Sequence, residues 1–365
     1  MNENDLISVI IPVHNGEKFI SRTLNRLYRQ TYKNLEIIIV LNNCTDQSEH
    51  LCRKFQENAK ERTRRIEILT DDIRGLTLVR KRGVLESHGK YIILMDIDDY
   101  YADDTAIEKM HAAIVEDGVQ ICQFSHYVQY YGLIRKQVDV VATKTIMDRE
   151  TLFSGPLMGV VPGRGGYFDT TLWSKIYDGN MLRNAIFECT VPVFYQEDLY
   201  INFLAFVNEK TKKVSTRKEA YYVYCRYGGS MTDDPEARYR LLADSSLFKP
   251  VEYSKLNDLP VSQDIVFRVH SESIWAYRAC INGLLYDRKE EERERIIGLI
   301  SDCENYEYIR MTKEYFRLHP ERIWSPEMHF MISDYTPEEY LQWCKDHLPK
   351  LSTKRRIRNV LKRIL

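Results

Sequence analysis

The sequence lacks the features that mark several common protein classes. Its eight cysteines include no Cys-x-x-Cys pair, and 365 residues are enough to fold without a disulfide framework. Reduced thiols in a cytoplasmic protein are therefore expected. Lysine and arginine number 52 against 53 aspartates and glutamates, so the chain lacks the positive excess that is typical of nucleic-acid-binding proteins. Any anionic ligand must be bound by local groups.

Long apolar runs are also missing. No apolar segment reaches the roughly 20 residues that a membrane-spanning helix needs. The amino-terminal segment MNENDLISVIIPVHN has no basic region, and its apolar run is too short for a signal peptide. The hydrophobic content of 44% supports a sizeable core, and the length predicts two domains.

Short apolar runs alternate with helical patterns in the first hundred residues. The runs at Ile7–Val13, Leu35–Leu41 and Arg65–Leu69 are predicted strands, and the first two are bounded by turn residues. Apolar residues at helical spacing follow the first strand, and residues 47–55 also indicate a helix. This alternation predicts an α/β fold with a mostly parallel sheet, helices on both faces, and ligands at the carboxyl ends of the strands.

The most informative stretch is Lys90–Tyr101, KYIILMDIDDYY. Its apolar run ends in Asp96, Asp98 and Asp99, as a buried strand would where its carboxyl end meets a ligand crevice. Crowded carboxylates repel one another unless a cation lies between them, and an all-oxygen set suits Mg²⁺ or Mn²⁺ better than zinc. A divalent ion held there could bind a diphosphate. The alternative is a solvated turn that caps the next helix.

Several segments, in order along the chain, resemble family-2 glycosyltransferases with the GT-A (Rossmann-like) fold. SVIIPVHNGEKFI resembles the first strand and turn of that family, and QTYKNLEIIIVLNNCTDQS resembles its second strand and nucleoside loop. VRKRGVLESHGKYIILMDIDDYY resembles its Ala-Arg-Asn-like segment and Asp-x-Asp-Asp signature. LWSKIYDGNML, VFYQEDLYINFLAF and YYVYCRYGGSMT extend the resemblance over residues 6–232. Each motif alone is weak, but the ordered set is specific.

The resemblance implies transfer of a sugar from a nucleotide diphosphate sugar, with a divalent cation as cofactor. It implies that Asp98 and Asp99 bind the metal ion, and that Asp198 is the general base of an inverting attack. Glu197 and Ser230 would support the site. The residues that it places against the donor are Pro12, His14, Asn15, Asn42, Arg80, Asp96 and Arg226.

Some of these roles have plainer alternatives. Glu197 and Asp198 could form only the acidic first turn of a helix. Arg80 could belong to a basic surface patch with its neighbours, and Arg226 could be an ordinary surface ion-pair residue instead of a diphosphate ligand.

The nucleoside loop departs from the family pattern. The family usually has Asp-Asp-Gly-Ser where this chain has Leu41-Asn42-Asn43-Cys44, and the second aspartate would accept the N–H of a uracil ring. The amide oxygen of Asn42 can still accept that hydrogen bond, and its amide nitrogen can also donate. A uridine nucleotide is therefore the expected donor, although the loop excludes other bases less firmly.

The predicted domains are a GT-A domain at 1–232, a helical domain at 233–350 and a basic tail at 351–365. Within the first, residues 1–101 form the nucleotide-sugar half and 102–232 the acceptor half. The segment Lys354–Leu365 has an apolar helical face flanked by basic residues, which suits an anionic membrane surface or packing against protein. A peripheral position at the inner face of the cell membrane is therefore expected, although packing remains open.

The expected acceptor is a surface glycan or a lipid-linked oligosaccharide, and no nucleic-acid partner is expected. The sequence has no Gln-x-x-Arg-Trp motif of the kind found in processive synthases of the family, so addition of a single sugar is favoured. Two alternatives remain. One is transfer of a sugar to a polyprenyl phosphate, and the other is a catalytically silent sugar-nucleotide-binding or scaffold subunit.

Overall fold

The computed structural model describes residues 5–59, 65–73, 75–130, 132, 134–139, 144–148, 170–190, 197–227, 266–267, 269–271, 273–274, 293–323 and 325–347. These residues fall into two compact units. The first contains the described residues up to Arg226, and the second contains Tyr227 and the described residues from 266 onward. The predicted boundary after residue 232 lies outside the described residues and stays a prediction.

The first unit contains a mixed β-sheet. Its strands are β1 (Ile7–Val13), β2 (Leu35–Asn42), β3 (Arg65–Asp71), β4 (Tyr91–Leu94), β5 (Tyr100–Tyr101), β6 (Ile121–Tyr130), β7 (Ile134–Val138), β8 (Thr145–Asp148), β9 (Lys175–Asp178) and β10 (Lys213–Arg226). They lie in the order β3-β2-β1-β4-β9-β6-β10-β5, with β7 beside β6 and β8 beside β10. Strand β9 runs antiparallel to both β4 and β6, which makes the sheet mixed.

Helices flank this sheet and make up most of the described part of the second unit. The first unit has α1 (Glu17–Tyr28), α2 (Ser48–Ala59), α3 (Leu76–Glu86), α4 (Ala106–Asp117), α5 (Gly179–Phe187) and α6 (Glu197–Val207). The second unit has α7 (Arg293–Asn305), α8 (Glu307–Leu318), a 3₁₀ turn (Pro320–Arg322), α9 (Pro326–Ile332) and α10 (Pro337–His347). This architecture confirms the predicted fold class. Across the described ranges, every helix is too short or too polar to cross a membrane.

The parallel strands bring several polar segments to one edge of the sheet. Strand β1 pairs in parallel with β2 and β4, and β2 pairs in parallel with β3. All of β1 and nearly all of β2 are buried, which explains their continuous apolar sequences. Because parallel strands end on the same side, the segments after Val13, Asn42, Asp71 and Leu94 lie along one edge, where α/β folds bind ligands.

Helix α3 approaches the sheet closely at Gly83. A methyl group added there would collide with the side chains of Ile10 and Val40. The close approach positions Arg80, which lies three residues earlier on the same helix.

We expect Gly83→Ala to lower the free energy of unfolding by about 1–3 kcal/mol, because the helix or the sheet must shift to make room. Urea unfolding followed by circular dichroism measures this change. Gly298→Ala in α7 is the matched control, since a methyl group there meets no atom within 4 Å. That variant should be neutral or more stable by up to about 1 kcal/mol. Equal losses in both variants would contradict the packing account.

Candidate active site

Three carboxylates from distant parts of the sequence converge on one buried arginine. Arg80, with 3% of its side chain exposed, donates from Nη1 to Oε1 of Glu197 at 2.7 Å and to Oδ1 of Asp198 at 2.9 Å. Its Nη2 atom donates to Oδ1 of Asp96 at 2.9 Å. Asp96 follows β4, and the other two acids open α6. The arginine therefore joins the acidic strand end to the predicted general base, and its burial excludes the surface-patch alternative.

Burial and charge both act on Asp198. Burial raises the pKa of Asp198 well above its ordinary value of 3.8, and the negative charge of Glu197 raises it further, while Arg80 acts in the opposite direction. A carboxylate with a raised pKa is a better proton acceptor at neutral pH. For Arg80 itself, burial lowers the pKa, but the charges of Asp198, Asp96 and Glu197 outweigh burial and raise it. The arginine thus stays charged at this site.

The acids after Asp96 face different surroundings. Asp98 is partly buried, and burial together with the charge of Asp96 raises its pKa to about 6. Asp99 is fully buried: its Oδ2 accepts a hydrogen bond from the Tyr222 hydroxyl at 2.8 Å, and its Oδ1 accepts one from the Cys225 amide at 2.7 Å. These bonds favour a structural role for Asp99, linking the strand end to β10, over the predicted metal ligation.

Tyr222 connects two of these acids. Besides donating to Asp99, its hydroxyl accepts a hydrogen bond from the backbone amide of Asp96 at 3.1 Å. Its ring stacks on Trp173, with centroids 5.1 Å apart. Tyr222 therefore holds the turn in place from the β10 side.

We expect Tyr222→Phe to lower the free energy of unfolding by about 1–3 kcal/mol, because a buried oxygen of Asp99 loses its hydrogen bond. Chemical denaturation measures the loss. Tyr221→Phe, at the partly buried neighbouring position, is the control and should stay within about 0.5 kcal/mol of wild type. Matching values for the two variants would show that the hydroxyl of Tyr222 is dispensable.

Helix α1 also holds this turn, through residues that the sequence motifs did not single out. The hydroxyl of Thr23 donates to the carbonyl oxygens of Ile97 at 2.7 Å and Asp99 at 2.8 Å. Arg22 donates to the carbonyl of Asp98, and its guanidinium lies 5.0 Å from the ring centroid of Tyr100. The sequence did contain one sign of this role for Thr23, because a polar residue on the buried face of an amphipathic helix needs a hydrogen-bond partner.

The loops after β1 and β2 are linked to each other. Nδ1 of His14 lies 2.8 Å from the carbonyl oxygen of Asn42, and the Asn15 side chain accepts a hydrogen bond from the Thr45 amide at 2.8 Å. Pro12 lies buried within β1. In the described part of the chain, the side-chain oxygen of Asn42 is buried without a hydrogen-bond partner. This oxygen therefore lacks the hydrogen bond that buried polar atoms normally have.

A cavity of about 390 Å³ lies beside the second of these loops. Its volume is in the range of small-molecule binding pockets. It is at the carboxyl ends of β2 and β3, where a parallel α/β sheet collects its ligands. The residues that line it are Leu41, Asn43, Cys44, Glu49, Thr70, Asp71 and Asp72.

The remaining predicted residues lie at the end of β10 or beyond it. Arg226 ends β10, next to the residue whose amide binds Asp99, and its guanidinium is 5.9 Å from the ring centroid of Tyr130. Ser230, with the two glycines before it, lies outside the described residues, and so does the basic tail from Lys354.

The acids at this edge fit a divalent cation that is shared with a ligand. Among the described residues, no group of three or more His, Cys, Asp or Glu side chains is arranged to hold a metal ion. Mg²⁺ is commonly held by one or two carboxylates together with substrate phosphates, so a complete protein cage is not required. Asp98, with Asp96 beside it, offers that partial set, and the crowding of negative charge there favours a cation.

Comparison with known proteins finds similarity to glycosyltransferases. Residues 8–161 match the family model for glycosyl transferase family 2. The chain is 33% identical over 124 residues to glycosyltransferase GlyA of Streptococcus pneumoniae, and this alignment covers 34% of this chain and 17% of GlyA. It is 25% identical over 240 residues to TarS of Staphylococcus aureus, a poly(ribitol-phosphate) beta-N-acetylglucosaminyltransferase, covering 64% of this chain and 39% of TarS. The chain spans between 17% and 56% of the first three curated relatives it matches.

Solved structures share the fold. Residues 1–349 of S. aureus TarS in complex with UDP-GlcNAc align with a TM-score of 0.58 and 16% identity, over 93% of this chain and 91% of that one. The mannosyltransferase PcManGT from Pyrobaculum calidifontis, in complex with GDP-Man and Mn²⁺, aligns with a TM-score of 0.51 and 12% identity, over 93% and 88%. At these identities the likeness shows the fold alone.

Proposed function

We propose that this chain, whose residues 8–161 match the family model for glycosyl transferase family 2, transfers a single sugar from a UDP-sugar to a hydroxyl of a glycan acceptor. The observation that supports this most strongly is the convergence of Asp96, Glu197 and Asp198 on the guanidinium of Arg80. One guanidinium spans only a few ångströms, so the acid proposed to contact the donor and the proposed base lie within the dimensions of a single sugar-transfer site. A silent scaffold would not require that convergence.

In the proposed reaction, Asp198 takes the proton of the acceptor hydroxyl as the hydroxyl oxygen attacks the anomeric carbon of the donor sugar. The bond between that carbon and the diphosphate oxygen breaks, and its electron pair leaves with the nucleoside diphosphate. Attack from the face opposite the leaving group inverts the anomeric centre. Glu197 supports the step by raising the pKa of Asp198. Arg226 would contact the diphosphate through its guanidinium.

The proposed cofactor is Mg²⁺ or Mn²⁺, held by Asp98 with Asp96. When bound, the ion would neutralise the negative charge that develops on the leaving diphosphate. The fold relative PcManGT is in complex with Mn²⁺, which is consistent with this chemistry.

The preference for uridine rests on the loop after β2. The buried side-chain oxygen of Asn42 has no partner among the described residues, and it would accept the ring N–H of uracil. The named activity of TarS, transfer of beta-N-acetylglucosamine, supports an N-acetylhexosamine as the transferred sugar, and a hexose is the other candidate. His14 and Asn15 would hold this loop against the first strand.

The proposed acceptor is a surface glycan or a lipid-linked oligosaccharide, and the proposed location is the cytoplasmic face of the cell membrane. The named activity of TarS, on poly(ribitol-phosphate), supports a cell-surface polymer as acceptor. Support for membrane contact comes from the sequence pattern of Lys354–Leu365 alone.

Product analysis tests the proposal. The purified protein is incubated with Mn²⁺ and a panel of UDP- and GDP-sugars, with either an oligosaccharide or a polyprenyl phosphate as acceptor. The masses of the products are measured by mass spectrometry. We expect the mass of one sugar to be added to the oligosaccharide from one nucleotide sugar. Addition to the polyprenyl phosphate alone would favour that alternative, and binding of a donor without any product would favour the silent subunit.

A further inference from the structure

We propose that Arg80 is a positioning residue for the general base, and that it sets the distance between this base and the donor carboxylate Asp96. This inference rests on the proposed function and changes the role predicted for Arg80 from the sequence, which was contact with the donor. It also assigns to one residue of α3 the task of joining the donor and acceptor halves of the site.

The first support is the bonding pattern of the guanidinium. Nη1 is shared between Glu197 and Asp198, and Nη2 binds Asp96. Since the guanidinium is planar and rigid, the positions of its two terminal nitrogens are fixed relative to each other. The carboxylates of Asp96 and Asp198 are therefore held at a set separation, although 102 residues separate them in sequence (198 − 96). A lysine would supply the positive charge but not the fork, that is, the two nitrogen donors at fixed relative positions.

The second support is burial. Arg80 has 3% of its side chain exposed, and its three bonded acids have 29%, 16% and 22%. A donor phosphate would have to displace these acids to reach the guanidinium. The acids are thus more accessible than the arginine, as expected if they meet the substrates and Arg80 supports them from behind.

The third support is charge balance. Asp96, Glu197 and Asp198 all bind the guanidinium of Arg80, so removal of Arg80 would leave three neighbouring carboxylates without a positive partner. Such an arrangement favours uptake of a proton by Asp198. Burial and Glu197 already raise the pKa of Asp198, and Arg80 is the group that counters this effect. Arg80 therefore opposes protonation of the base, to which its Nη1 atom donates a hydrogen bond.

The test compares Arg80→Met, which removes the charge and the fork, with Arg80→Lys, which removes only the fork. Arg82→Met is the matched control, because Arg82 lies on the same helix, is exposed, and pairs with Glu86 one turn away. The readouts are kcat, the donor dissociation constant by calorimetry, and the pH profile of kcat/KM, with the sugar nucleotide found in the product analysis.

We expect Arg80→Met to reduce kcat by about 10²-fold or more, as for loss of general-base assistance, with the donor dissociation constant changed only a few-fold. The acidic limb of its kcat/KM profile should move to higher pH. In Arg80→Lys, the acidic limb of the kcat/KM profile should stay near its wild-type pH, and kcat should be higher than in Arg80→Met but lower than in wild type. Arg82→Met should match wild type throughout.

Weakened donor binding with kcat unchanged in Arg80→Met would overturn the proposal and restore the donor-contact role. Wild-type kcat in Arg80→Lys would overturn the part played by the fork. If Arg80→Met does not fold, the lysine variant still decides between these outcomes through kcat and donor binding.

A separate measurement distinguishes failure of this inference from failure of the proposed function. If wild type transfers no sugar, the thermal unfolding midpoints of Arg80→Lys, Glu197→Gln and the double variant still test the contact. Coupled residues should give a smaller loss in the double variant than the sum of the two single losses. Additive losses would show that Arg80 and Glu197 are not coupled, whatever reaction the protein performs.

Discussion

Asp198→Asn is expected to reduce kcat by about 10²- to 10⁴-fold while the donor dissociation constant stays within a few-fold of wild type. Asparagine keeps the size of the side chain and an oxygen for Arg80, but it cannot take a proton from the acceptor. Because Asp198 binds Arg80 and not the proposed nucleoside loop, donor binding has no reason to change. Steady-state kinetics and calorimetric titration of the donor measure the two quantities.

The pH dependence of wild type belongs to the same prediction. Burial and Glu197 raise the pKa of Asp198, so kcat/KM should fall as the pH drops through a value above 3.8, where the base becomes protonated. Asp104→Asn is the control, since that exposed acid lies away from Arg80 and should leave both kcat and the profile unchanged. If Asp198 served only as part of the acidic first turn of α6, its loss would cost about 1 kcal/mol of stability and leave turnover intact.

Asp98→Ala is expected to abolish the metal dependence of donor binding. In wild type, Mn²⁺ should tighten binding of the UDP-sugar, and removal of a direct ligand should weaken the metal-dependent complex by more than about 10²-fold, since even residues behind metal ligands contribute 10- to 100-fold. Titration of the donor with and without Mn²⁺ measures the effect. Asp99→Asn is the informative comparison, because Asp99 is buried and bonded within the protein.

We expect Asp99→Asn to lose stability while keeping the response to Mn²⁺. Loss of that response in Asp99→Asn, with the response kept in Asp98→Ala, would exchange the roles of the two acids.

Stability without metal should depend on pH through Asp98. Its pKa is raised from 3.8 to about 6 in the folded protein, so its contribution to stability is fully present below about pH 3.8 and is lost as the pH rises through about 6. The loss is at most about 3 kcal/mol, from the difference between the two pKa values. Asp98→Asn should remove this pH dependence. In the wild-type protein at neutral pH, addition of Mn²⁺ and the donor should recover the lost stability.

Local patterns were sufficient to predict the parallel strands. Strand β1 has the predicted bounds Ile7–Val13, and β2 runs one residue beyond the predicted Leu35–Leu41. Both are almost entirely buried, so their nearly continuous apolar sequences distinguish them from the surrounding helices. The mixed, mostly parallel sheet followed from the same alternation and from the family resemblance, whereas the helical character of the carboxyl-terminal region was predicted from the pattern of that region alone.

The contacts of the site could not be predicted in the same way. The bonds of Arg80 cross 117 and 118 residues of sequence to Glu197 and Asp198, and no local periodicity encodes such a pairing. Burial of Asp99 depends on Tyr222 and Cys225 of β10, which lie more than 120 residues away. The sequence therefore identified the acids as a set, but tertiary packing decided which of them face the crevice.

The most direct test of the account is the thermal unfolding of wild type, Asp98→Ala and Asp198→Asn against a panel of nucleoside diphosphates and their sugars, with and without Mn²⁺. A ligand that binds only the folded protein raises its unfolding temperature. We expect a Mn²⁺-dependent rise with uridine nucleotides, lost in Asp98→Ala and retained in Asp198→Asn. Failure of every nucleotide to raise the unfolding temperature of wild type under any metal condition would contradict a sugar-nucleotide transferase site in this chain.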